Sequence, residues 1–213
     1  MAHVNAGLMV SDFKVGPGRF PWEMRVSDVA AFKGKVEVVT LTAGFRLFKI
    51  SAGSAKAGQN GVTPWWSPVM PYREDKEGAI GRFEQAKLNK IDMSSMARYM
   101  SAVCVDWNDL DNYIEVQVKP GVKVSCFWGL FAPQNIYSDP GKRSADKIAR
   151  VSRTSKASRA AGYHDAVLPE QLGVLDAWQF YIPGLTDAHI VRSSVLNAHD
   201  MITLAMHFGR SWR

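Results

Sequence analysis

The stretch YIEVQVKPGVKVSCFWG, Tyr113 to Gly129, constrains the fold more than any other part of the chain. From Tyr113 onward the residues alternate with period two, the pattern of a strand with one buried face. Pro120-Gly121 marks a turn, and Val122–Gly129 reads as a second strand, so the two predict a β-meander. Lys35–Gly44, Phe45–Ser51 and Ser101–Trp107 also read as strands, as does Asp176–Leu185, stopped by Pro183. Glu77–Met100 is the best helical candidate of the first half. Ile80, Phe83 and Ala86 share one side, and Asp92-Met93-Ser94-Ser95 is a natural break where Ser94 or Ser95 caps a second helix. The tail from Val191 to Arg210 predicts a further helix. Val195, Met201, Leu204 and Phe208 fall at helical spacing, with Gly209 as C-cap. Strands and helices do not alternate as βαβ units. The order predicts an α+β fold, a mostly antiparallel sheet with flanking helices.

At 213 residues the chain suits a single domain spanning 1–213. A chain of this length buries roughly 70% of its unfolded surface, so it needs no disulfide or metal to fold. Residues 1–34 carry little pattern and are expected to be loose, and 138–165 reads as a basic, serine-rich flexible segment. Cys104 and Cys126 sit in apolar runs without a CxxC or a Cys/His cluster, which predicts buried free thiols in a reducing compartment. No apolar run reaches the ~18 residues of a membrane span. The first residues lack the regions of a signal peptide. The expected location is the cytoplasm, reached directly or by a delivery route that leaves no local mark.

The formal net charge of +6 favours anionic partners. It is unevenly spread: Lys142, Arg143, Lys147, Arg150, Arg153, Lys156 and Arg159 face a single acid, Asp146. As a helix, Arg143, Lys147, Arg150 and Arg153 would form a stripe; as an arm they would be mobile. Either form can neutralise phosphates of a nucleic acid, and a solvated loop is the plain alternative.

Several chemistries leave no mark. There is no P-loop, no GxGxxG opening a helix, no HExxH and no GxSxG, so the usual nucleotide, metalloprotease and serine-hydrolase signatures are missing. His3, His164, His189, His199 and His207 are scattered, and no metal is expected. His199 and His207 lie eight apart and would share a face of the predicted last helix.

The informative residues are five. In GVTPWWSPV, adjacent Trp65 and Trp66 must point to opposite faces of an extended segment. One fills the core. The other packs elsewhere or walls a pocket for a flat ring, held between Pro64 and Pro68. Arg46 sits mid-strand among apolar residues, where a guanidinium needs an anion or several acceptors unless the face is solvated. Gln179 interrupts the apolar AWQFYIP strand and either pegs a neighbouring loop or meets a polar substrate. Glu170, shortly before that strand, is either a surface acid or a member of the same cleft.

In their order, these segments resemble the ADP-ribosyltransferase-like superfamily of NAD-using enzymes, many of them bacterial toxins. FRLFKIS resembles the first-strand motif, which makes Arg46 the NAD-binding arginine. TPWWSPV resembles the aromatic–hydroxyl motif, with Trp66 and Ser67. AWQFYIP resembles the final catalytic strand, with Gln179 where these families carry glutamate or, in some NAD-hydrolysing branches, glutamine. YIEVQVKPGVKVSCFWG is similar to their central hairpin. The resemblance covers roughly residues 40–190 and implies an NAD-cleaving toxin or effector, NAD glycohydrolase or transferase, that breaks the nicotinamide–ribose bond. NAD is then the substrate. Arg46 grips its phosphates, Trp65 or Trp66 stacks on nicotinamide, Ser67 holds the carboxamide or ribose, and Gln179 orients ribose or water. The acceptor would be protein or nucleic acid, and a toxin would have an immunity partner. Tyr181 stands where transferases carry a second carboxylate, which disfavours transfer to a protein side chain. The alternative is a non-enzymatic nucleic-acid-binding module, with the basic segment on phosphates and tryptophans on bases.

Overall fold

The computed structural model describes residues 31–51, 64–139, 153–166, 168–182 and 185–211. The apolar, β-branched runs form nine strands: β1 (Phe32–Leu41), β2 (Arg46–Ser51), β3 (Trp65–Pro68), β4 (Asn112–Val118), β5 (Val124–Phe131), β6 (Gln134–Asn135), β7 (Gln171–Leu172), β8 (Trp178–Tyr181) and β9 (Ile190–Asn197). Seven of them make one sheet in the order β1-β5-β8-β3-β2-β4-β9, antiparallel at every pairing, and β6 and β7 form a separate ribbon. Four helices accompany them among the described residues: α1 (Gly78–Leu88), α2 (Met93–Met100), α3 (Lys156–Ala160) and α4 (Met201–Ser211). The fold is α+β with a mostly antiparallel sheet, as the sequence predicts. No described helix is long and apolar enough to cross a membrane.

The sheet has two halves that meet at a narrow seam. β3 pairs with β2 only through Leu47↔Pro68 and Phe48↔Ser67. Its first residues pair on the other side with β8, Trp65↔Tyr181 and Trp66↔Phe180. The inner faces of both halves share one core. Leu41 of β1, Leu47 of β2, Trp66 of β3, Val116 of β4, Trp128 of β5 and Phe180 of β8 belong to a single cluster. A second cluster lies on the outer face of the β2-β4-β9 half, where Phe83 of α1, Met93 of α2 and Phe208 of α4 pack with Phe48 and Tyr113.

Several local expectations are corrected. β4 and β5 are not neighbours in a meander or central hairpin: β4 lies between β2 and β9, β5 between β1 and β8. The connection 119–123, with Gly121 at φ +76°, carries the chain from one half to the other. A Pro-Gly turn signal serves a hairpin or a crossover equally, and the partner faces decide between them. Ser101–Trp107 is not a strand. The Arg98 guanidinium takes the carbonyls of Val103 (3.0 Å), Cys104 (2.6 Å) and Asn108 (2.7 Å), which holds this segment as a coil. The break after α1 is where the sequence places it, but Asp92 is the cap. Its carboxylate accepts from the Ser95 amide at 3.0 Å and from the hydroxyls of Ser94 and Ser95. The tail begins as β9, so Val195 pairs with Ile114 rather than lying on a helix, and Gly209 falls inside α4. His199 precedes α4, so it shares no helical face with His207.

Cys104 and Cys126 are buried free thiols, as expected. Of the segment expected to be flexible, 140–152 lies outside the described residues, as do residues 1–30. Residues 153–165 fold back on the body. The Thr154 amide and hydroxyl donate to Asp165 at 3.1 and 2.6 Å, and Ser158 of α3 is buried.

Candidate functional site

Beyond Phe48↔Ser67 the strands β2 and β3 diverge, and a cavity of ≈ 340 Å³ occupies the fork. Its volume is at the low end of the ~300–1,000 Å³ typical of ligand sites. Residues 48–51 of β2 line one side; Trp65, Trp66 and Ser67 of β3 line the other, with Gln179 of β8. The roof is the C-terminal end of α2 and the coil after it, Ala97 and Ser101–Val103, together with Trp107, Asn108 and Leu110.

The adjacent tryptophans point opposite ways, as an extended backbone requires. Trp66 is 1% exposed in the shared inner core. Trp65 turns to the outer face, where its ring packs against Phe32 (5.2 Å), Phe131 (4.9 Å) and Tyr181 (4.5 Å) while still lining the cavity. These neighbours fix the ring's plane. Phe48, Phe131 and the half-exposed Trp107 extend the aromatic lining.

Polar groups are few and aimed. Gln179 does what its loop-pegging alternative predicts: Nε2 donates to the Ser101 carbonyl at 2.8 Å, joining β8 to the roof. Its Oε1 and the Ser67 hydroxyl make no hydrogen bond among the described residues, and both residues line the cavity. The fork adds backbone groups. The Arg46 carbonyl accepts from the Val69 amide at 3.0 Å, so on β2 the even residues turn toward β3. The Pro64 carbonyl accepts from Ile182 at 2.8 Å, so on β3 Trp65 turns toward β2. The ladder stops at Phe48↔Ser67. The amide and carbonyl of Ile50 and of Trp65 therefore face each other across the gap with no rung between them, a donor–acceptor edge on either side.

Arg46 is not part of this cavity. Its Nε and Nη2 lie 2.7 and 2.5 Å from Glu115 Oε1 on β4. The other Glu115 oxygen accepts from the Tyr113 hydroxyl at 2.8 Å and His207 Nε2 at 3.1 Å. Burial alone would raise the Glu115 pKa, but donation from His207, Tyr113 and Arg46 outweighs it and holds the carboxyl below its usual range. The acceptor that a mid-strand guanidinium demands is an internal carboxylate, not a ligand. Glu170 is exposed beside the β6–β7 ribbon and also stands outside the cavity. Arg153 pairs with Asp111 at 2.6 Å and Asp109 at 3.2 Å, so its charge is spent within the fold; Lys142, Arg143, Lys147 and Arg150 lie outside the described residues.

Sequence reasoning missed Lys49. It lines the cavity, is 7% exposed, and sets its ammonium 4.2 Å from the centre of the Trp66 ring. Burial pushes its pKa well below the usual lysine range. Its signal was present: a lysine between Phe48 and Ile50 on a strand whose two faces are both covered.

A serine–histidine–carboxylate group also exists, Ser94 Oγ 3.1 Å from His199 Nδ1 and Asp111 3.6 Å from His199 Nε2. Ser94 already donates to Asp92, and neither Ser94 nor His199 lines the cavity. The group ties α2, β4 and the entry to α4 together. Comparison with family models, with curated proteins and with solved structures returned no match.

Proposed function

We propose that the fork cavity receives the nicotinamide end of NAD and that the protein cleaves the nicotinamide–ribose bond, in the manner of an ADP-ribosyltransferase-like NAD glycohydrolase. The observation that carries the reading is the convergence of Trp65, Ser67 and Gln179 on one aromatic-lined space. A planar ring slides against Trp65. Its carboxamide, one donor and one acceptor, matches the open edges of Ile50 and Trp65 and the Ser67 hydroxyl. Gln179 Oε1 is left to face the ribose or an attacking water.

Bond cleavage builds positive charge on the ribose. No Asp or Glu lines the cavity among the described residues, so that charge meets only the neutral dipoles of Gln179 and Ser67. Turnover is accordingly slow, and water rather than a protein side chain is the acceptor. Arg46, paired with Glu115 outside the cavity, takes no part in holding NAD.

The test is release of free nicotinamide from NAD by the purified protein. Wild type releases it; Trp65→Ala and Gln179→Ala each reduce release at least tenfold; Arg46→Ala lowers stability but not release per folded molecule. Release equal to a protein-free control refutes the activity. A salt-sensitive shift of RNA or DNA without release would favour the nucleic-acid module instead.

A further inference from the structure

The cavity has a mouth that a bound ring alone leaves unused. Trp107 lines the cavity yet is 51% exposed, the only exposed tryptophan among the described residues. Its indole meets no other aromatic ring among them. An isolated exposed apolar side chain is ordinary, but one that stands partly in solvent and partly in a cavity wall is placed to cover whatever projects from the cavity. Its backbone is held on both sides. Asp106 accepts from the amide and hydroxyl of Ser138 at 2.9 and 2.7 Å, and the Asn108 carbonyl accepts from Arg98 at 2.7 Å. The indole is thus presented on a segment that is already ordered, which favours binding.

Asn108 lines the cavity beside it. Its Oδ1 accepts from the Leu110 amide at 2.8 Å, an Asx turn that carries Leu110 at φ +55°, an uncommon backbone for a branched apolar residue. That bond fixes the polarity of the side-chain amide. The oxygen is engaged, and Nδ2 remains a donor without an acceptor among the described residues. Neither nearby arginine is open to a phosphate: Arg98 is taken by three carbonyls, and Arg153 pairs with Asp109 and Asp111. An aromatic face next to an uncharged donor suits a sugar, which offers a C–H face to the indole and hydroxyl oxygens to the amide.

We propose that Trp107 and Asn108 form a sugar subsite at the mouth of the fork cavity, so that the ligand is a nucleoside rather than a free ring. The sugar lies against the Trp107 indole, and one of its hydroxyl oxygens accepts from Asn108 Nδ2. The proposal rests on the ring-binding reading above and adds two binding residues and the class of group that follows the ring.

Three probes separate the parts: nicotinamide; 1-methylnicotinamide, which has the pyridinium charge but no sugar; and nicotinamide riboside, which has both. Dissociation constants are measured by calorimetry for wild type, Trp107→Ala and Asn108→Ser. The serine hydroxyl can still accept from the Leu110 amide while the Nδ2 donor is gone. Wild type is expected to bind the riboside about tenfold or more tightly than 1-methylnicotinamide. Trp107→Ala brings that ratio close to one, and Asn108→Ser lowers it about threefold or more. A merely structural role would weaken all probes together and leave the ratio as it is. A ratio near one in wild type, or a ratio that survives Trp107→Ala, overturns the subsite while ring binding stands. Circular dichroism checks that both variants fold. If either does not, the Asn108 side-chain amide signal in the ¹H–¹⁵N spectrum of wild type replaces it. That signal is expected to shift with the riboside and not with 1-methylnicotinamide; no shift with the riboside, or equal shifts with both, overturns the subsite. Failure of all three probes to bind takes down the ring-binding reading and this one with it.

Discussion

Glu115 shows how one residue diverted the reading of another. The sequence states that Arg46 needs an acceptor; it does not state that a glutamate 69 positions away supplies it from the next strand. Trp65 and Trp66 were legible because backbone alternation alone sets their opposite directions. Gln179 was legible as a buried amide in need of partners, but the acceptor of its Nε2, the Ser101 carbonyl, sits in a segment whose coil conformation is imposed by Arg98. Two predictions belong to this scale. Gln179→Ala leaves a roof carbonyl without its donor and costs ~1–3 kcal/mol, measured by urea unfolding. Glu115→Gln costs about 3 kcal/mol at neutral pH by leaving Arg46 without its counter-charge. The pH dependence has a definite sign. The Glu115 carboxyl is held below its usual value in the folded state, so its contribution is complete above the ordinary glutamate pKa of ~4.3 and is lost as pH falls through the lowered one. The urea midpoint of wild type therefore drops more steeply than that of Glu115→Gln as pH is lowered from about 6 to about 3. Parallel curves would show that the carboxylate is not stabilised as described.

Among the elements, strands and helices that announce themselves by periodicity were found close to their observed limits: β2, β4 and the split helix α1–α2. Pairing was not legible. The Pro-Gly turn after β4 looks local, yet the strands on either side of it go to different halves of the sheet. The seven-residue run before Asn108 looked like a strand because it is rich in apolar residues, but its buried Ala102 and Cys104 serve a coil. The cap of α2 illustrates a nearer miss, with Asp92 rather than a serine in the role and the serines as its donors. Because α2 leads directly into the cavity roof, this cap has functional reach. Asp92→Ala is expected to cost about 2 kcal/mol and to weaken nicotinamide binding at the same time, read by urea unfolding and by titration. The junction before α1 is equally tight. Gly78 stands at φ +60°, and a Cβ there would meet the Val69 carbonyl oxygen at 2.5 Å, so Gly78→Ala costs ~1–3 kcal/mol by the same unfolding measurement.

For the molecule as a whole, the decisive feature is the seam. A seven-stranded sheet held at its middle by two residue pairs opens beyond Phe48↔Ser67, and the open side collects residues 48–51, 65–67 and 179 into one space. No sequence pattern announces such a seam, because each strand is locally ordinary; it arises from β3 being four residues long and shared between two partners. The aromatic lining and the unfinished ladder then follow from alternation. A direct measurement is a ¹H–¹⁵N spectrum of the protein titrated with nicotinamide. Saturable shifts are expected at the Trp65 indole and at the backbone amides of Ile50 and Trp65, with the buried Trp128 indole unmoved. An unchanged spectrum at millimolar ligand, or shifts confined to residues away from the fork, would contradict the claim that this cavity is a ring-binding site.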